Sequence, residues 1–390
     1  MYLRNLRLLL AAALIGITLN ACSTAPATTA ATAATAAKEP DEQAVVDPLL
    51  SSSGVAHATV RESFVTPLTP EDNVDSPAVW IDPNGSAVLL ATAKKTGRLM
   101  RYDGDSGAAA GVVGTTGAAS GQFDRPNGIF VVDDLLFVVE RDNHRVQVLR
   151  LPGFESLGSF GQTELQQPYG IWLRADGAGS YDVLVSDAYM AGKDARGDDI
   201  VPPLAQLDRR VRRYSVRIAD AKVDATLRGS IGDTTAAGAI RIPESLWGDS
   251  RHDRLLIAEE DTGTGTAVRE YDLAGRYRGR TLGLGLFKAQ AEGIALWECK
   301  DGSGYWIATD QFKDRSLFHI FDRGTLQHLG AFAGETVANT DGIWLHQKGT
   351  KRFPDGVFYA VHDDQGVGAF DWREIAKALK LRSSCRAAKS

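Results

Sequence analysis

Short apolar runs recur along the chain from about residue 57, and turn-forming residues bound each of them. The runs cover residues 88–91, 136–139, 183–185, 255–258, 305–308 and 357–361. Continuous apolar runs between turns are typical of strands that are buried on both faces. Amphipathic helical periodicity is almost absent before Trp372. The pattern therefore predicts an all-β chain.

A second pattern precedes these runs: a polar residue, a small residue, an aliphatic residue and usually an aromatic residue. Five clear copies begin at Asn127, Tyr169, Glu244, Glu292 and Asp341, and Pro77-Ala78-Val79-Trp80 is a looser sixth copy. The small residues lie 50, 42, 75, 48 and 49 positions apart, and the step of 75 contains an insertion. Steps of this size match the blades of a propeller. We therefore predict a six-bladed β-propeller.

The segment 57–65 has a strand-like pattern but no repeat of its own. We expect it to pair with the last blade, because closing the ring removes exposed sheet edges. Two stacked β-sandwiches are the alternative fold, but they predict no such regular recurrence.

The N-terminal residues predict export. Arg4 and Arg7 precede an apolar run at 8–19, and Leu19-Asn20-Ala21-Cys22 resembles the lipobox of bacterial lipoproteins. The resemblance implies lipidation of Cys22 and a membrane-anchored protein of the cell envelope, at the outer membrane or periplasmic face, or an extracellular one. An uncleaved anchor or an ordinary secretory signal are the alternatives.

These observations divide the chain into four parts. We expect a signal peptide at 1–21, a low-complexity tether at 22–56, the propeller at 57–382 and a tail at 383–390. Cys299 and Cys385 either form a disulfide or remain two thiols. The net charge of −6 without a Lys/Arg block argues against nucleic-acid binding. We expect a monomer.

Acidic residues start several of the repeats. The residues at this place, which should converge on the central channel because the first strand of every propeller blade lines it, are Asn127, Tyr169, Glu244, Glu292 and Asp341. Three carboxylates with polar oxygens in one small space would repel one another unless a cation lay between them. Oxygen ligands without His or Cys indicate Ca²⁺. The alternative is that these side chains bind turn backbone or channel water. A further acidic run, Glu259-Glu260-Asp261, should bring at least one carboxylate to the same mouth. Lys94 and Arg141 lie in comparable loops, and the alternative for each of them is a solvated surface residue.

Several segments match one family in order and spacing. They are Asp75-Ser76-Pro77-Ala78-Val79-Trp80, Lys94-Lys95-Thr96-Gly97, Tyr169-Gly170, Glu244, Ile257-Ala258-Glu259-Glu260-Asp261, Glu292-Gly293, Gln311, Thr340-Asp341-Gly342 and Phe353-Pro354-Asp355-Gly356. In these residues the chain, from about 60 to 380, resembles the β-propeller phytases, six-bladed calcium-dependent phosphatases that act on inositol phosphates.

The resemblance implies roles for individual residues. It implies metal ligation by Asp75, Glu244, Glu260, Glu292, Gln311 and Asp341. It also implies that Lys94, Arg141 and Tyr169 contact phosphate.

The chain departs from the family at three positions. Ser76 and Gln290 stand where the family has Asp, and Ala188 stands where it has a phosphate-binding Lys. Lys193, in the insertion, is a candidate substitute for that Lys. Residues 121–128 and 143–146 resemble an NHL repeat instead.

Three functions follow from these patterns. The first is calcium-dependent hydrolysis of phosphomonoesters such as inositol hexakisphosphate. The second is an NHL-like propeller that only binds a ligand. The third is a single-metal propeller lactonase, which shares the acidic residues but not the lysines.

Overall fold

The computed structural model describes residues 48–382 and Cys385, and these residues form small antiparallel sheets arranged as the six blades of a β-propeller. The predicted fold class is therefore confirmed. Cys22, the signal peptide and most of the predicted tether lie outside the described residues. Within the described part, no helix is both long enough and apolar enough to cross a membrane.

The first three blades cover residues 74–231. Blade 1 contains β3 (Val74–Ile81), β4 (Ala87–Ala93), β5 (Arg98–Asp103) and β6 (Ala109–Val113). Blade 2 contains β7 (Pro126–Val132), β8 (Leu135–Glu140), β9 (Arg145–Arg150) and β10 (Glu155–Phe160). Blade 3 contains β11 (Pro168–Ala175), β12 (Ser180–Asp187), β15 (Val211–Ala219) and β16 (Lys222–Ile231). In each blade the strands pair in chain order.

The last three blades repeat this order. Blade 4 contains β17 (Pro243–Asp249), β18 (Arg254–Glu259), β19 (Ala267–Tyr271) and β20 (Tyr277–Leu282); blade 5 contains β21 (Ala291–Glu298), β22 (Gly304–Asp310), β23 (Leu317–Asp322) and β24 (His328–Ala333); blade 6 contains β25 (Ile343–His346), β26 (Val357–His362) and β27 (Gly366–Asp371). We call the face at which first strands begin and second strands end the upper face.

The N-terminal segment closes the ring across two blades. β2 (Phe64–Val65) pairs antiparallel with β27 and completes blade 6, as predicted. β1 (Ala58–Thr59), which was also expected on the last blade, instead adds a parallel fifth strand to β24 of blade 5. Between them, the Glu62 carboxylate accepts hydrogen bonds from the backbone N–H groups of residues 335–337, at 2.8 to 3.1 Å.

The chain packs onto the propeller earlier than the predicted tether boundary at 56. A short helix, α1 (Leu50–Ser53), precedes β1, and Leu50 is buried with Phe312 and Leu317 of blade 5. The Leu50 N–H donates to Asp314 Oδ1 at 2.7 Å. Residues 50–53 therefore belong to the folded part of the molecule.

The C-terminal segment packs on blade 5. Helix α2 (Trp372–Ala378) follows β27, and Trp372 stacks on Trp297 with ring centroids 4.0 Å apart. A disulfide joins Cys299 to Cys385, so the first of the two cysteine alternatives holds.

The insertion in the third repeat lies between β12 and β15, on the upper face. It contains a hairpin of β13 (Gly192–Lys193) and β14 (Asp199–Ile200), followed by a 3₁₀ turn at Leu204–Gln206. The fully buried Arg210 guanidinium donates to the carbonyls of Asp187, Tyr189, Ile240 and Arg241. Burial lowers the pKa of Arg210 to about 10. This side chain ties the base of the insertion to blade 4.

Glu62 provides a test of ring closure. We expect Glu62→Ala to lower the free energy of unfolding by about 1–3 kcal/mol, because three backbone donors lose their acceptor. Urea unfolding followed by tryptophan fluorescence would measure the change. Glu71→Ala, at an exposed residue of the following loop, is the control and should change stability by less than about 0.5 kcal/mol. Equal stability of both variants would contradict the closing role of Glu62.

Candidate active site

A β-bulge opens the first strand of each of blades 1 to 5. In blade 1, β3 advances three residues from Val74 to Pro77 while β4 retreats only two, from Ala93 to Ala91. A bulge bends a strand and redirects a side chain. The residues at the equivalent position of all six blades form what we call the inner ring. They are Asp75, Asn127, Tyr169, Glu244, Glu292 and Asp341.

This register corrects the looser sixth copy of the repeat. The sequence comparison aligned Pro77 with Asn127, but the strand pairing shows that Pro77 is equivalent to Ile129. Asp75 is therefore the blade 1 member of the inner ring. The error arose because Pro77-Ala78-Val79-Trp80 also runs from a small residue to an aromatic one.

A second set of equivalent residues directly follows the second strand of each blade. We call this set the outer ring. Its members are Lys94, Arg141, Ala188, Glu260, Gln311 and Asp363. Four predicted site residues therefore share one structural position, which sequence reasoning had treated separately. Together the two rings hold six carboxylates against two cationic side chains.

Four predicted residues meet in one buried network. Lys94 Nζ lies 3.2 Å from Asp75 Oδ1 and 3.2 Å from Asp341 Oδ2. The Tyr169 hydroxyl donates to Asp75 Oδ1 at 2.7 Å, which links blade 3 to blade 1. Lys94 Nζ also lies 6.0 Å from the centre of the Tyr169 ring. The ammonium group is thus fixed between two carboxylates at the mouth of the channel.

Three further predicted ligands form an acidic cluster. One oxygen each of Glu244, Glu260 and Glu292 lies within 4.8 Å of the others, and all three side chains are buried. Gln290 Nε2 donates to Glu260 Oε1 at 2.9 Å. Like charges this close favour a bound cation, and carboxylate oxygens suit a hard one.

Gln311 connects the same mouth to Asp341. Its Nε2 donates to Asp341 Oδ1, whereas its buried Oε1 has no hydrogen-bond partner among the described residues. A carboxamide oxygen is a ligand that Ca²⁺ accepts. The donor set at this mouth, carboxylates with a carboxamide, therefore fits calcium and could hold it.

Arg141 occupies the blade 2 position of the outer ring. Its Nε donates to Asp142 Oδ1 at 2.7 Å, and 14% of its side chain is exposed. The structure thus places Arg141 at the rim of the upper face, next to the network around Lys94 by blade order.

The three departures from the family pattern have visible effects. Ser76 Oγ donates to Asp75 Oδ2 at 2.9 Å, and Gln290 donates to Glu260, so neutral donors replace two acids. Ala188 is buried in the outer ring and carries no charge. Lys193, the candidate substitute in the insertion, pairs with Asp199 at 3.0 Å in the hairpin.

The NHL-like residues of blade 2 support the fold of that blade. Arg145 donates to Glu140 and to the carbonyls of Ala118, Ala119 and Gln122. The Gly121 N–H donates to Gln147 Oε1 at 2.7 Å. The resemblance to an NHL repeat therefore reflects how the loop before β7 is held.

Asn127 is an inner-ring residue that the sequence placed in the channel, but to which it assigned no individual role. It is 0% exposed, and neither Oδ1 nor Nδ2 has a hydrogen-bond partner among residues 48–382 and Cys385. Leaving such a group unpaired costs about 1–3 kcal/mol. The signal in the sequence was its place in the repeat.

Below the inner ring, three aromatic side chains meet one another. The rings of Phe130, Trp247 and Trp344 contact one another, with centroids 5.2 to 5.9 Å apart. They come from alternate blades, and each lies three residues after its inner-ring residue. The site is therefore a polar mouth above an apolar floor.

Acidic residues that end second strands hold the loops before the first strands. Asp187 accepts from the N–H groups of Gln166 and Gln167, Glu259 from those of Arg241 and Ile242, and Asp310 from those of Lys288 and Ala289. Burial raises the pKa of Asp187, and it raises the pKa of Glu259 to about 7. In the acidic run 259–261, Glu259 thus holds a loop, whereas Glu260 is the member that lies in the acidic cluster.

Comparisons with known proteins leave the family open. No protein-family model matches the sequence, and no curated relative matches it. Similar solved structures include the hydrazine synthase of Kuenenia stuttgartiensis, with 13% identity over 81% of this chain and 82% of that one and a TM-score of 0.47. A luciferin-regenerating enzyme has 10% identity over 80% and 94%, with a TM-score of 0.48.

A third similar structure is that of a nidogen/laminin complex, with 12% identity over 75% of this chain and 94% of that one and a TM-score of 0.42. These distant likenesses carry no argument about activity. The propeller assignment rests on the sheets of the chain itself.

The raised pKa of Asp187 predicts a pH-dependent stability. The folded state holds this proton more tightly than the unfolded state, whose pKa is about 3.8. The contribution is therefore complete below about pH 3.8 and is lost as pH rises through the folded pKa, by up to about 1.4 kcal/mol per pH unit.

Asp187→Asn should remove this loss. Urea unfolding of both proteins at a series of pH values should show the variant gaining stability relative to the wild type as pH rises above about 4. A stability difference that stays constant with pH would contradict the prediction.

Proposed function

We propose that the protein is a calcium-dependent phosphomonoester hydrolase of the phytase type. The observation that carries the proposal is the placement of the acidic cluster of Glu244, Glu260 and Glu292 at the same mouth as the Lys94 network. Acidic ligands beside fixed cations suit a phosphate group that metal ions bridge. The order and spacing of the phytase-like segments support the same assignment.

The residues proposed to hold calcium supply oxygen ligands from four blades. They are Asp75, Glu244, Glu260, Glu292, Gln311 and Asp341. Calcium bound there would neutralise charge on the phosphoryl oxygens and favour a nucleophilic water.

The side chains proposed to act on phosphate are Lys94, Arg141 and Tyr169. Lys94 is held at the mouth by two carboxylates, so its charge is oriented before substrate arrives. Arg141 at the rim is suited to bind a phosphate oxygen, since a guanidinium presents several donors in one plane. Tyr169 would contact phosphate through its hydroxyl, which donates to Asp75 Oδ1 in this structure.

The proposed substrate class is an ester of phosphoric acid on a small polyol, with inositol hexakisphosphate as the first compound to assay. Ser76, Gln290 and Ala188 each remove a charge relative to the family pattern. We therefore expect weaker activity, and a stronger dependence on added Ca²⁺, than in relatives with the full set.

The proposal includes the location of the protein. Lipid on Cys22 would anchor it at a membrane of the cell envelope.

Calcium removal tests the metal site. Chelation should lower the melting temperature of the wild type by about 5 °C relative to saturating Ca²⁺, because a ligand bound only to the folded state stabilises it. Glu244→Gln should keep the fold and lose most of this response, measured by differential scanning fluorimetry. Glu155→Gln, at an exposed residue of β10, is the control and should respond like the wild type. If chelation leaves the melting temperature of the wild type unchanged, a calcium site shared by these residues is ruled out.

Turnover tests the roles of the cationic side chains. Lys94→Ala and Arg141→Ala should each reduce phosphate release from inositol hexakisphosphate on the order of 100-fold without unfolding the chain. Lys300→Ala is the control, since Lys300 is exposed in a turn of the opposite face and should leave turnover unchanged. No hydrolysis by the wild type at any Ca²⁺ concentration, and none after Ser76→Asp with Gln290→Asp, would favour the ligand-binding alternative.

A further inference from the structure

We propose that Asn127 is a ligand-contacting residue of the inner ring. Its Oδ1 would bind the cation and its Nδ2 would donate to an oxygen of the phosphate group that the cation holds. This inference rests on the proposed function, and it adds a site residue that the phytase resemblance does not supply.

Asn127 occupies the one blade position between Asp75 and Tyr169. These two neighbours in the ring already meet, because the Tyr169 hydroxyl of blade 3 donates to Asp75 of blade 1. Asn127 occupies the same position in the bulge of its strand as Asp75 and Tyr169 occupy in theirs. In each blade the bulge turns this side chain towards the mouth. Its place in the register therefore directs its carboxamide to the same side of the ring.

The backbone of Asn127 is fixed from both neighbouring blades. Thr92 Oγ1 of blade 1 donates to the Asn127 carbonyl at 2.7 Å. On the other side, a Cβ on Gly128 would lie 2.4 Å from the Tyr169 carbonyl, so the strands of blades 2 and 3 are in close contact. The backbone of Asn127 therefore has little freedom to move its side chain to another hydrogen-bond partner.

The chemistry of a carboxamide specifies the missing partner. Oδ1 only accepts hydrogen bonds and Nδ2 only donates them. The partner of Asn127 must therefore offer a cation or a hydrogen-bond donor to Oδ1, and an acceptor to Nδ2. A cation with a bound oxyanion meets both requirements at once. The full burial of Asn127, with both atoms lacking a partner among the described residues, is what this complement would resolve.

A neutral residue also suits the local charge. The blade 2 position lies beside Asp75, and the two rings already carry six carboxylates against Lys94 and Arg141. An acid here would add a further like charge and would repel phosphate. A carboxamide supplies an oxygen to the cation and a donor to the anion without that charge.

Two variants of the full chain separate the contacts. Asn127→Leu, of similar size but without polar atoms, should raise the melting temperature in chelator by roughly 2–4 °C, because the desolvated carboxamide is gone. It should also weaken Ca²⁺ binding about 10-fold in calorimetry. Asn127→Asp should bind Ca²⁺ about 10-fold more tightly but weaken Ca²⁺-dependent binding of inorganic phosphate about 10-fold.

Thr309→Val is the matched control. The Thr309 hydroxyl is also buried without a hydrogen-bond partner in the described part of the chain, but it lies on the second strand of blade 5 and outside both rings. This variant should gain thermal stability and keep the wild-type affinities. That contrast distinguishes relief of a buried polar group from loss of a ligand contact.

The outcomes separate this inference from the proposed function. Wild-type affinities in both Asn127 variants would overturn the role of Asn127 and leave the hydrolase proposal standing. A wild type that binds neither Ca²⁺ nor inorganic phosphate would overturn both. A rise in the melting temperature of Asn127→Leu with unchanged Ca²⁺ binding would show a buried polar group that contacts no bound cation, and it would overturn the proposed contact.

Discussion

The close approach of successive first strands around the channel is the constraint on which the site depends. At Gly170 an added Cβ would lie 2.6 Å from the Glu244 carbonyl of the next blade, so only a very small residue fits after Tyr169. Ser186 Oγ joins the same two blades by donating to the Glu244 carbonyl at 2.8 Å. The bulge and this contact together fix where each inner-ring side chain begins. Chemistry at the mouth is therefore set by the backbone spacing of the ring.

This spacing forces charged groups together, and the molecule compensates them in two ways. On one side, Lys94 lies between Asp75 and Asp341 and supplies an internal counter-charge. On the other side, Glu244, Glu260 and Glu292 approach within 4.8 Å, with Gln290 as a neutral donor. An ammonium group and an amide differ in charge, so the two sides differ in their need for a cation. The acidic cluster is accordingly the stronger candidate for metal binding.

Repetition made the fold predictable, because each blade buries its second strand and repeats the same turn before it. The site was harder to predict. Glu259 and Glu260 are adjacent and identical, so the sequence does not distinguish them. The second strand ends at Glu259, which accepts from the N–H groups of Arg241 and Ile242, and the next residue, Glu260, therefore lies in the outer ring. The misalignment of Pro77 had another origin, because Pro77-Ala78-Val79-Trp80 imitates the repeat pattern two residues after the true start at Asp75. Side-chain direction follows from register, and register is a property of the folded sheet.

The departures from the phytase pattern follow a common physical logic. Ser76 and Gln290 both donate hydrogen bonds to carboxylates, where an acid would have added repulsion and a metal ligand. Each change reduces the charge that only a cation can balance, so we expect a mouth that is less unstable without metal and that would bind metal less strongly. In its proposed role Asn127 would extend the same trend, because a carboxamide offers a ligand oxygen without charge. A site built this way would recognise a metal–phosphate pair by hydrogen bonds as well as by charge. A site made of carboxylates and lysines alone would rely on charge, and this difference distinguishes the two kinds of site.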